Sequence, residues 1–579
     1  MIKLFRYLQK KDWVYILICI GLIILQVGLE LKMPDYTKAL TTLVSSEQIT
    51  MSDVWYNGGR MLLCALGSLV AAIVCGYLIS KVASSFSMRL REKLFEKVIH
   101  FSNQEINQFS TPSLITRTTT DVVQMQMFVA MGVQLLFKAP IMAIWAICKI
   151  SATHMAWTLA TILTVVVIVM VVGALIAICY QRFKKIQKLT DDLNDITREN
   201  VSGVRVVRAF NAEKYQEEKF EKTNQEITKN NLFTSRTMGL MNPVMTICMN
   251  GLTLAIYFIG AILINQTEGM IEKQILLGNM TAFTQYAMQV IMAFMMLIMI
   301  FIILPRTIVS GGRIYDVLDT PLHIKNGEGA TSLETGTIEF QDVSFGYTKD
   351  AAPALQHISF QVKKGETLAI VGATGSGKTT LINLIPRFDD VSSGAILVDG
   401  VNVKAYKEDV LRDKIALASQ KAVLFKGTIK ENIAYGKAQI DEEKIDMALE
   451  ISQSQFIKEL AEGIHSEVAQ GGTNFSGGQK QRISIARAIY KDAEIIIFDD
   501  TFSALDYKTD MLIRKKIKEK LKDKTVIIVA QRIGTIKNAD QIVVLDEGKI
   551  VGIGKHETLL DSCSVYQEIA LSQLTKEEL

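Results

Sequence analysis

The chain has 579 residues, a length that allows several domains. Hydrophobic residues make up 49% of it, which excludes a protein that is soluble along its whole length. The formal net charge of +4 is small for this length and gives no indication of a nucleic-acid partner. The seven cysteines show no C-x-x-C spacing and the six histidines are scattered, so the sequence indicates neither a disulfide framework nor a zinc site.

The first eleven residues place basic side chains between apolar ones. Lys3, Arg6, Lys10 and Lys11 alternate with isoleucine, leucine and phenylalanine, and no small-residue cleavage site follows. The pattern predicts an amphipathic helix over 1–11 that lies in the membrane interface.

Apolar segments long enough to cross a bilayer follow, each near the ~20 residues that a hydrocarbon core requires. The sequence predicts six spans, at about 14–33, 61–82, 128–151, 157–180, 244–264 and 283–304. Together they predict a transmembrane domain over 1–320.

Two long linkers, after the second and the fourth predicted spans, are rich in lysine and arginine and have helical spacing. The other connections are short or poor in these residues. The positive-inside rule therefore predicts that both termini lie in the cytoplasm and that the protein resides in the cell membrane.

Polar residues inside the predicted spans are expensive in hydrocarbon and should face a cavity, a partner or an interface. Glu30, Lys138 and Lys149 are in this class. In the sixth span a methionine stripe accompanies Gln285 and Gln289: Met288, Met292, Met295 and Met299. Thioether side chains suit a surface that adapts to many ligands, although ordinary helix packing explains the stripe equally well.

A turn-rich linker over 321–337 follows the sixth span. From Ile338 onwards, apolar alternation and glycine-rich turns predict an α/β domain over 338–572.

Early in this domain an apolar strand runs into a phosphate-binding loop of the pattern G-x-x-x-x-G-K-[ST]. Backbone amides of such a loop cradle phosphates, Lys378 would reach the β- and γ-phosphates, and Thr379 would ligate Mg²⁺. The residues predicted to hold ATP here are Gly372, Ala373, Thr374, Gly375, Ser376, Gly377, Lys378, Thr379 and Thr380.

A second glycine-containing loop, Asn474-Phe475-Ser476-Gly477-Gly478-Gln479, opens a segment with helical spacing. Free backbone N–H groups and the helix dipole at such a helix start favour phosphate. The buried strand that follows ends in Asp499-Asp500, and a carboxylate at a strand end beside phosphate loops commonly holds Mg²⁺.

Taken with Gln420 and Ser503-Ala-Leu-Asp506, these motifs resemble the nucleotide-binding domain of ABC transporters. The resemblance implies that Tyr347 stacks on adenine, that Gln420 contacts Mg²⁺ and that Asp506 crosses a dimer seam. It also implies that two such domains sandwich two ATP molecules. Each ATP would then be held by one subunit's phosphate loop and by the 474–479 loop of the other.

The membrane part resembles the type IV exporter fold, a six-helix transmembrane domain followed by an α/β P-loop nucleotide-binding domain. That resemblance implies coupling helices near 111–122 and 198–210, which dock on nucleotide-binding domains. It further implies that Glu467–Gly472 senses the opposite coupling helices.

Two positions depart from the family pattern. The family normally has glutamate, the general base, where this chain has Asp500, and histidine where it has Gln531. A base must lie within ~3 Å of the proton it takes, and a misplacement of about 1 Å can cost roughly 100-fold in rate. Glutamine does not titrate. His556 belongs to a different element and is a poor substitute for the missing histidine.

The departures predict a site that binds ATP and hydrolyses it poorly. The chain therefore resembles the degenerate-site subunit of bacterial heterodimeric multidrug exporters. The expected partners are a second half-transporter, the lipid bilayer and a small amphipathic substrate, with no nucleic acid. A dedicated lipid or peptide exporter, or an ATP-gated channel or sensor, are the alternatives.

Overall fold

A computed structural model describes residues 2–45, 50–151, 154–332, 335–347 and 352–573. Met1 of the predicted amphipathic helix and residues 333–334 of the predicted linker lie outside the described residues. The chain divides into two compact units. The first comprises Met1–Lys97 and Leu114–Asp319, and the second comprises Val98–Ser113 and Thr320–Leu579.

Helices account for nearly all of the chain before residue 320. They are α1 (Lys10–Glu30), α2 (Met33–Val44), α3 (Met51–Ile99), α4 (Asn103–Phe109), α5 (Thr111–Thr118), α6 (Thr120–Met127), α7 (Val133–Ser151), α8 (Met155–Ser202), α9 (Val204–Ala209), α10 (Glu213–Gly239), α11 (Met241–Gln266) and α12 (Met270–Asp319). A π-helical turn, Phe128–Gly132, joins α6 to α7.

Within the described residues, six helical segments are long and apolar enough to cross a membrane. Each predicted span falls in one of them, and the segments run well past the predicted ends; α3 and α12, for example, have 49 and 50 residues. The extensions carry the charged linkers, so the helices continue beyond the hydrocarbon region. The prediction of a six-helix transmembrane domain is confirmed.

The N-terminal segment differs in detail from the predicted helix over 1–11. The structure has a short 3₁₀ helix, Ile2–Tyr7, and α1 begins only at Lys10. Leu4 is fully buried, while the Lys3 ammonium donates a hydrogen bond to the Tyr315 hydroxyl at 3.0 Å. The segment is amphipathic, as its sequence pattern indicates.

The second unit contains two larger sheets and a strand pair. Its strands are β1 (Ile338–Phe345), β2 (Leu355–Val362), β3 (Thr367–Gly372), β4 (Ser393–Val398), β5 (Val401–Asn402), β6 (Ile415–Ala418), β7 (Gly427–Thr428), β8 (Glu467–Val468), β9 (Ile495–Asp499), β10 (Thr525–Val529), β11 (Gln541–Asp546) and β12 (Lys549–Gly554). Its later helices are α13 (Lys378–Leu384), α14 (Glu408–Asp413), α15 (Ile429–Ile433), α16 (Glu442–Ile451), α17 (Gly477–Tyr490), α18 (Tyr507–Lys520), α19 (Ile533–Ile536), α20 (His556–Ser562) and α21 (Ser564–Leu571).

The central sheet has the order β12-β11-β3-β10-β9-β6 and is parallel except for β12. Every residue of β9 and β10 is buried, which explains why these strands are unbroken apolar runs. An antiparallel sheet of order β2-β1-β4-β5 completes the domain. Because β3 and β9 are parallel strands separated only by β10, their carboxyl ends meet at the same edge of the sheet.

Candidate nucleotide-binding site

The phosphate-binding loop connects β3 to α13. Gly372 has φ +157°, and a Cβ there would lie 2.1 Å from the Leu545 carbonyl oxygen. Gly377 has φ +97°, and its Cβ would lie 2.8 Å from a methyl group of Leu355. Only glycine satisfies both the backbone conformation and the close approach, so the path of the loop requires glycine at these two positions.

Lys378 folds back over this loop. Its ammonium donates to the carbonyl oxygens of Gly372 and Ala373, at 2.8 and 2.7 Å. Burial lowers the pKa of Lys378, and the nearby carboxylates Asp499 and Asp500 oppose that shift. The ammonium is therefore held beside the loop, where a phosphate would compensate its desolvation.

A cavity of about 300 Å³ lies over the loop and brings together most of the predicted ATP-site residues. Its lining consists of Tyr347, Ala354, Thr374, Gly375, Gly377, Lys378, Thr379, Thr380, Gln420, Asp499, Asp500, Val529 and Gln531. The sequence analysis did not predict Ala354 or Val529 as site residues, because neither belongs to a motif that it used.

Thr379 and Asp499 form the candidate metal position. The Thr379 hydroxyl donates to Asp499 Oδ1 at 3.2 Å, and Asp499 lies at the buried end of β9. Burial raises the pKa of the Asp499 carboxyl, and Asp500 adds to the increase against the hydrogen bond from Thr379. A hydroxyl and a carboxylate are the oxygen ligands that Mg²⁺ takes beside phosphates, so these residues fit Mg²⁺, which would neutralise phosphate charge there.

Gln420 also faces this edge of the sheet, although it bonds to a different carboxylate. Its amide donates to Asp500 Oδ2 at 3.1 Å. The Gln531 amide donates to the same oxygen at 2.9 Å. The two glutamines, distant in sequence, therefore converge on one carboxylate oxygen.

Asp500 itself has φ +46°, in the left-handed region that aspartate tolerates better than most residues. Burial raises the pKa of its carboxyl, against the hydrogen bond from Gln420 and the charge of Lys378. The carboxyl thus keeps its basicity, but one of its oxygens is already engaged by two amide donors.

Tyr347 lies at the rim of the cavity. Its hydroxyl is 2.9 Å from the Thr380 hydroxyl, and its ring packs edge-on against Phe345 with 5.0 Å between centroids. The side chain remains 47% exposed, which leaves ring surface for stacking.

The 474–479 loop lies away from the cavity over the phosphate-binding loop. Among the described residues, none of its members lines that cavity. Ser476 and Gln479 form a reciprocal capping box at the start of α17: the Ser476 hydroxyl accepts from the Gln479 N–H at 3.3 Å, and the Gln479 side chain accepts from the Ser476 N–H at 2.9 Å. Ser476 and Gly477 are exposed.

The rest of this loop is anchored to its own domain. Asn474 bonds to the backbone at both Glu467 and Ala469, and the Phe475 ring packs against Phe456. Gly478 lies close to the Ala504 carbonyl, where a Cβ would be at 3.3 Å. The loop is thus a rigid, outward-facing helix start.

Asp506 bonds within its own helix, and His556 bonds to the neighbouring helix α21. The Asp506 carboxylate caps α18 by accepting from the Thr509 N–H at 2.9 Å. The His556 ring bonds to the Tyr566 hydroxyl at 2.8 Å, and His556 is not among the cavity residues, as expected from its sequence position.

Comparison with known families gives a direct assignment. The model described as "ABC transporter transmembrane region" matches residues 16–294, and the one described as "ABC transporter" matches residues 355–503. The chain belongs to the ABC transporter family. As an ABC exporter half-transporter it is a multi-pass membrane protein, and its ATPase domain implies ATP-dependent translocation, ATP binding and dimerisation in a membrane.

Two relatives illustrate the likeness. An uncharacterized ABC transporter ATP-binding protein of Mycobacterium tuberculosis (strain ATCC 25618 / H37Rv) is 39% identical over 522 residues, 89% of this chain and 87% of the relative. The ATP-dependent lipid A-core flippase of Burkholderia orbicola (strain AU 1054) is 32% identical over 569 residues, 97% of this chain and 95% of the relative.

A solved structure of a bacterial Atm1-family ABC exporter with ATP bound matches with a TM-score of 0.81. The match covers 97% of this chain and 98% of that one at 23% identity, so it shows the exporter fold.

One element of the half-transporter was missed from sequence. Helix α4 belongs to the second unit, and the sequence did not single it out. The coupling helix predicted at 111–122 lies further along the chain and stays a prediction. Ser102 and Glu105 form a capping box at the start of α4, and Glu105 also accepts from the His323 N–H at 2.7 Å. The Asn103 amide donates to Asp389 at 3.3 Å. The S-x-x-E signature of the capping box was visible in the sequence.

Proposed function

We propose that this chain is the degenerate-site subunit of a heterodimeric ABC exporter that expels amphipathic compounds. The observation that carries the proposal is the double engagement of Asp500 Oδ2 by Gln420 and Gln531. A general base needs a lone pair directed at the attacking water. Here the shorter aspartate presents an oxygen that two amides already occupy.

Gln531 strengthens this interpretation. At that position the family's histidine can carry charge towards the γ-phosphate, whereas glutamine cannot titrate. Its amide is instead bonded to Asp500 at 2.9 Å. The loop, Lys378 and Thr379 remain equipped to bind nucleotide, so the site would hold ATP while turning it over slowly.

The 474–479 loop and the impaired site together support a partner subunit that differs from this chain. Ser476 and Gly477 are exposed at the start of a 14-residue helix and do not line their own chain's cavity. The loop is therefore suited to complete an ATP site on another subunit. Two copies of this chain would form two impaired sites, whereas a partner with glutamate and histidine at the departed positions would provide one competent site.

The second expected coupling segment also supports a partner. Around α9 the chain exposes large apolar side chains, with Val206 61% and Phe210 78% exposed. Apolar side chains in such a segment are suited to burial against another subunit. We assign this surface to docking on the partner's nucleotide-binding domain.

The decisive experiment is purification of the tagged chain from its own cell membranes, with mass spectrometry of what accompanies it. We expect a stoichiometric second half-transporter, encoded nearby, that carries glutamate and histidine at the two departed positions. The pair should export cationic or neutral amphipathic dyes from vesicles. Isolation of a homodimer with full ATPase activity would overturn the proposal.

A dedicated lipid exporter is the second candidate, because relatives at 30–32% identity are named lipid A-core flippases. Vesicles containing the purified transporter distinguish the two. ATP-dependent flipping of a fluorescent lipid without dye export would favour the lipid exporter.

A further inference from the structure

The two lysines of α7 are each paired with a carboxylate of the first membrane segment. The Lys138 ammonium lies 3.1 Å from Glu30 Oε1, and the Lys149 ammonium lies 2.8 Å from Asp35 Oδ2. Each pair joins the first membrane segment to α7. The expectation that such residues face a partner is met, because each lysine has a carboxylate.

The two pairs differ in their surroundings. Three donors converge on Glu30 Oε1: Lys138, the Gln26 amide at 2.8 Å and the Ser68 hydroxyl at 3.3 Å. In the described part of the chain no donor contacts Glu30 Oε2. The Gln289 amide donates to the Glu30 backbone carbonyl at 3.3 Å.

Unused acceptors accumulate at this point. Gln26 is only 6% exposed, and its amide oxygen has no hydrogen-bond partner; the Gln289 amide oxygen is buried and also has none. An unpartnered buried acceptor is unfavourable until a donor reaches it. Glu30 Oε2 and the two amide oxygens therefore form a set of acceptors that lacks donors.

The same face of α12 continues as the methionine stripe. Met292 follows Gln289 by three residues and is 46% exposed, and Met299 is 51% exposed. Met299 follows Met292 by seven residues, and spacings of three and seven keep residues on one face of a helix. An adaptable apolar surface thus lies next to the unused acceptors.

The charge balance disfavours anionic ligands. Both lysines are neutralised by carboxylates, so a phosphate would have to break an ion pair to find a cation. An ammonium group, by contrast, brings N–H donors to acceptors that are already present.

We propose that Glu30, with Gln26 and Gln289, is the recognition site for the cationic head of the exported compound, and that the Met292–Met299 face receives its apolar body. The ligand class is an amphipathic amine with N–H donors. This inference rests on the proposed function, since it names the substrate class of the export pathway.

The test uses the transporter purified with its partner, in nanodiscs of phosphatidylcholine and without ATP. Equilibrium binding of dodecylamine, N-dodecylacetamide and dodecyl phosphate is measured above empty nanodiscs. We expect dodecylamine to bind at least 10-fold tighter than the other two. Glu30→Gln should weaken dodecylamine binding at least 10-fold, which removes the preference for the amine, and should leave binding of the acetamide unchanged.

Asp35→Asn is the matched control, because it neutralises the other ion pair between the same helices; it should keep the amine preference. The exchange Glu30→Lys with Lys138→Glu restores an ion pair but moves the carboxylate to α7. It should not restore the preference. If Glu30 variants fail to assemble, Gln289→Leu, which leaves the ion pair intact, should weaken amine binding about 3-fold.

The inference is overturned if wild-type protein does not discriminate between the probes, if dodecyl phosphate binds best, or if the charge exchange recovers amine binding. The last result would show that the Glu30–Lys138 ion pair stabilises the helix packing and does not recognise the ligand. Since these measurements need no hydrolysis, a symmetric ATPase would defeat the heterodimer proposal without touching this one. An asymmetric pair that does not discriminate between the probes would defeat this inference and leave the heterodimer proposal intact.

Discussion

Asp500 is the side chain on which the proposed weak hydrolysis at this site depends. Its backbone follows the buried β9, which fixes it beside the phosphate loop, and its carboxylate is held by the Gln420 and Gln531 amides. Burial raises the pKa of this carboxyl. In the proposed function, the short reach of aspartate and the two amides on Oδ2 are what limit it as a general base.

Replacing Asp500 by asparagine should therefore cost the assembled pair little. We expect Asp500→Asn to lower steady-state ATPase only a few-fold, because the aspartate side chain is short and its Oδ2 already accepts from two amides. The equivalent change at the partner's glutamate should lower it by about 100-fold or more, the scale of a lost general base. Phosphate release from both variants, purified identically, provides the comparison. Equal losses would reject the asymmetry between the sites.

Asp492 allows a prediction about the pH dependence of stability. Its carboxylate lies 3.0 Å from both the Lys444 and the Lys524 ammonium groups. Burial works to raise the pKa of Asp492, but the two lysines outweigh it and the pKa is lowered. A lowered pKa stabilises the fold above the unfolded value near 3.9, and that contribution is lost as pH falls through the folded value. Asp492 has φ +57°, a conformation that asparagine also tolerates.

Asp492→Asn should therefore destabilise the protein by about 0.5–1 kcal/mol at pH 7, a modest value because the side chain is half exposed. The difference from wild type should shrink as pH falls below the unfolded value near 3.9 and vanish once pH is below the folded pKa as well. Thermal unfolding of the full chain in detergent across this pH range measures it. A difference that persists in acid would show that the charge is not responsible.

At the scale of elements, α17 presents a capped N-terminus to the outside of its domain. The capping box and the Asn474 anchor fix the 474–479 loop to its own domain. In the proposed function, this would preorganise the helix start for ATP held by the partner. Donors arranged in advance around developing charge contribute about 3–4 kcal/mol each to catalysis.

Gly477→Asp should abolish nearly all ATPase and transport by the pair, because it puts a carboxylate against the partner-held γ-phosphate. Photolabelling of this chain's own phosphate loop by an ATP analogue should persist. A Cβ at Gly477 meets nothing within 4 Å in this chain, so Gly477→Ala serves as a steric control and should keep most activity. Near-normal turnover by an assembled Gly477→Asp pair would refute the cross-subunit role.

Much of the nucleotide site follows from local sequence. The loop around Lys378 needs its glycines, and a strand ending in Asp499 needs its apolar run, so each motif predicts its own geometry. The convergence of Gln420 and Gln531 on Asp500 joins residues 80 and 31 positions away, which no local pattern encodes. Similarly, Lys138 was expected to face a cavity, a partner or an interface. Its carboxylate partner, Glu30, lies 108 positions away, and only helix packing identifies it.

Element boundaries were predicted less well. Helical spacing cannot distinguish a span from a helical extension of it, which is why α3 and α12 exceed the predicted spans at both ends. The capping box at Ser102 and Glu105 starts a separate helix that the sequence analysis did not predict. The coupling helix at 111–122, implied by the resemblance to the exporter fold, stays a prediction.

For the whole molecule, the orientation in the membrane remains a prediction with a direct test. In a chain whose seven cysteines are replaced, Thr50→Cys and Ser572→Cys place single thiols at exposed positions in the first interspan loop and near the C-terminus. An impermeant maleimide should label Thr50→Cys in intact cells and Ser572→Cys only after permeabilisation. The opposite pattern would place the nucleotide-binding domain outside.

The paired lysines of α7 also bear on how the chain enters the bilayer. A lysine at the centre of an isolated span costs roughly 2.5–3.5 kcal/mol on insertion, and α7 carries two in its 19 residues. The carboxylates that neutralise them, Glu30 and Asp35, belong to the first membrane segment, which leaves the ribosome earlier. The third span therefore meets its counter-charges already in place, and the order of the spans along the chain becomes the order in which they stabilise one another during biogenesis.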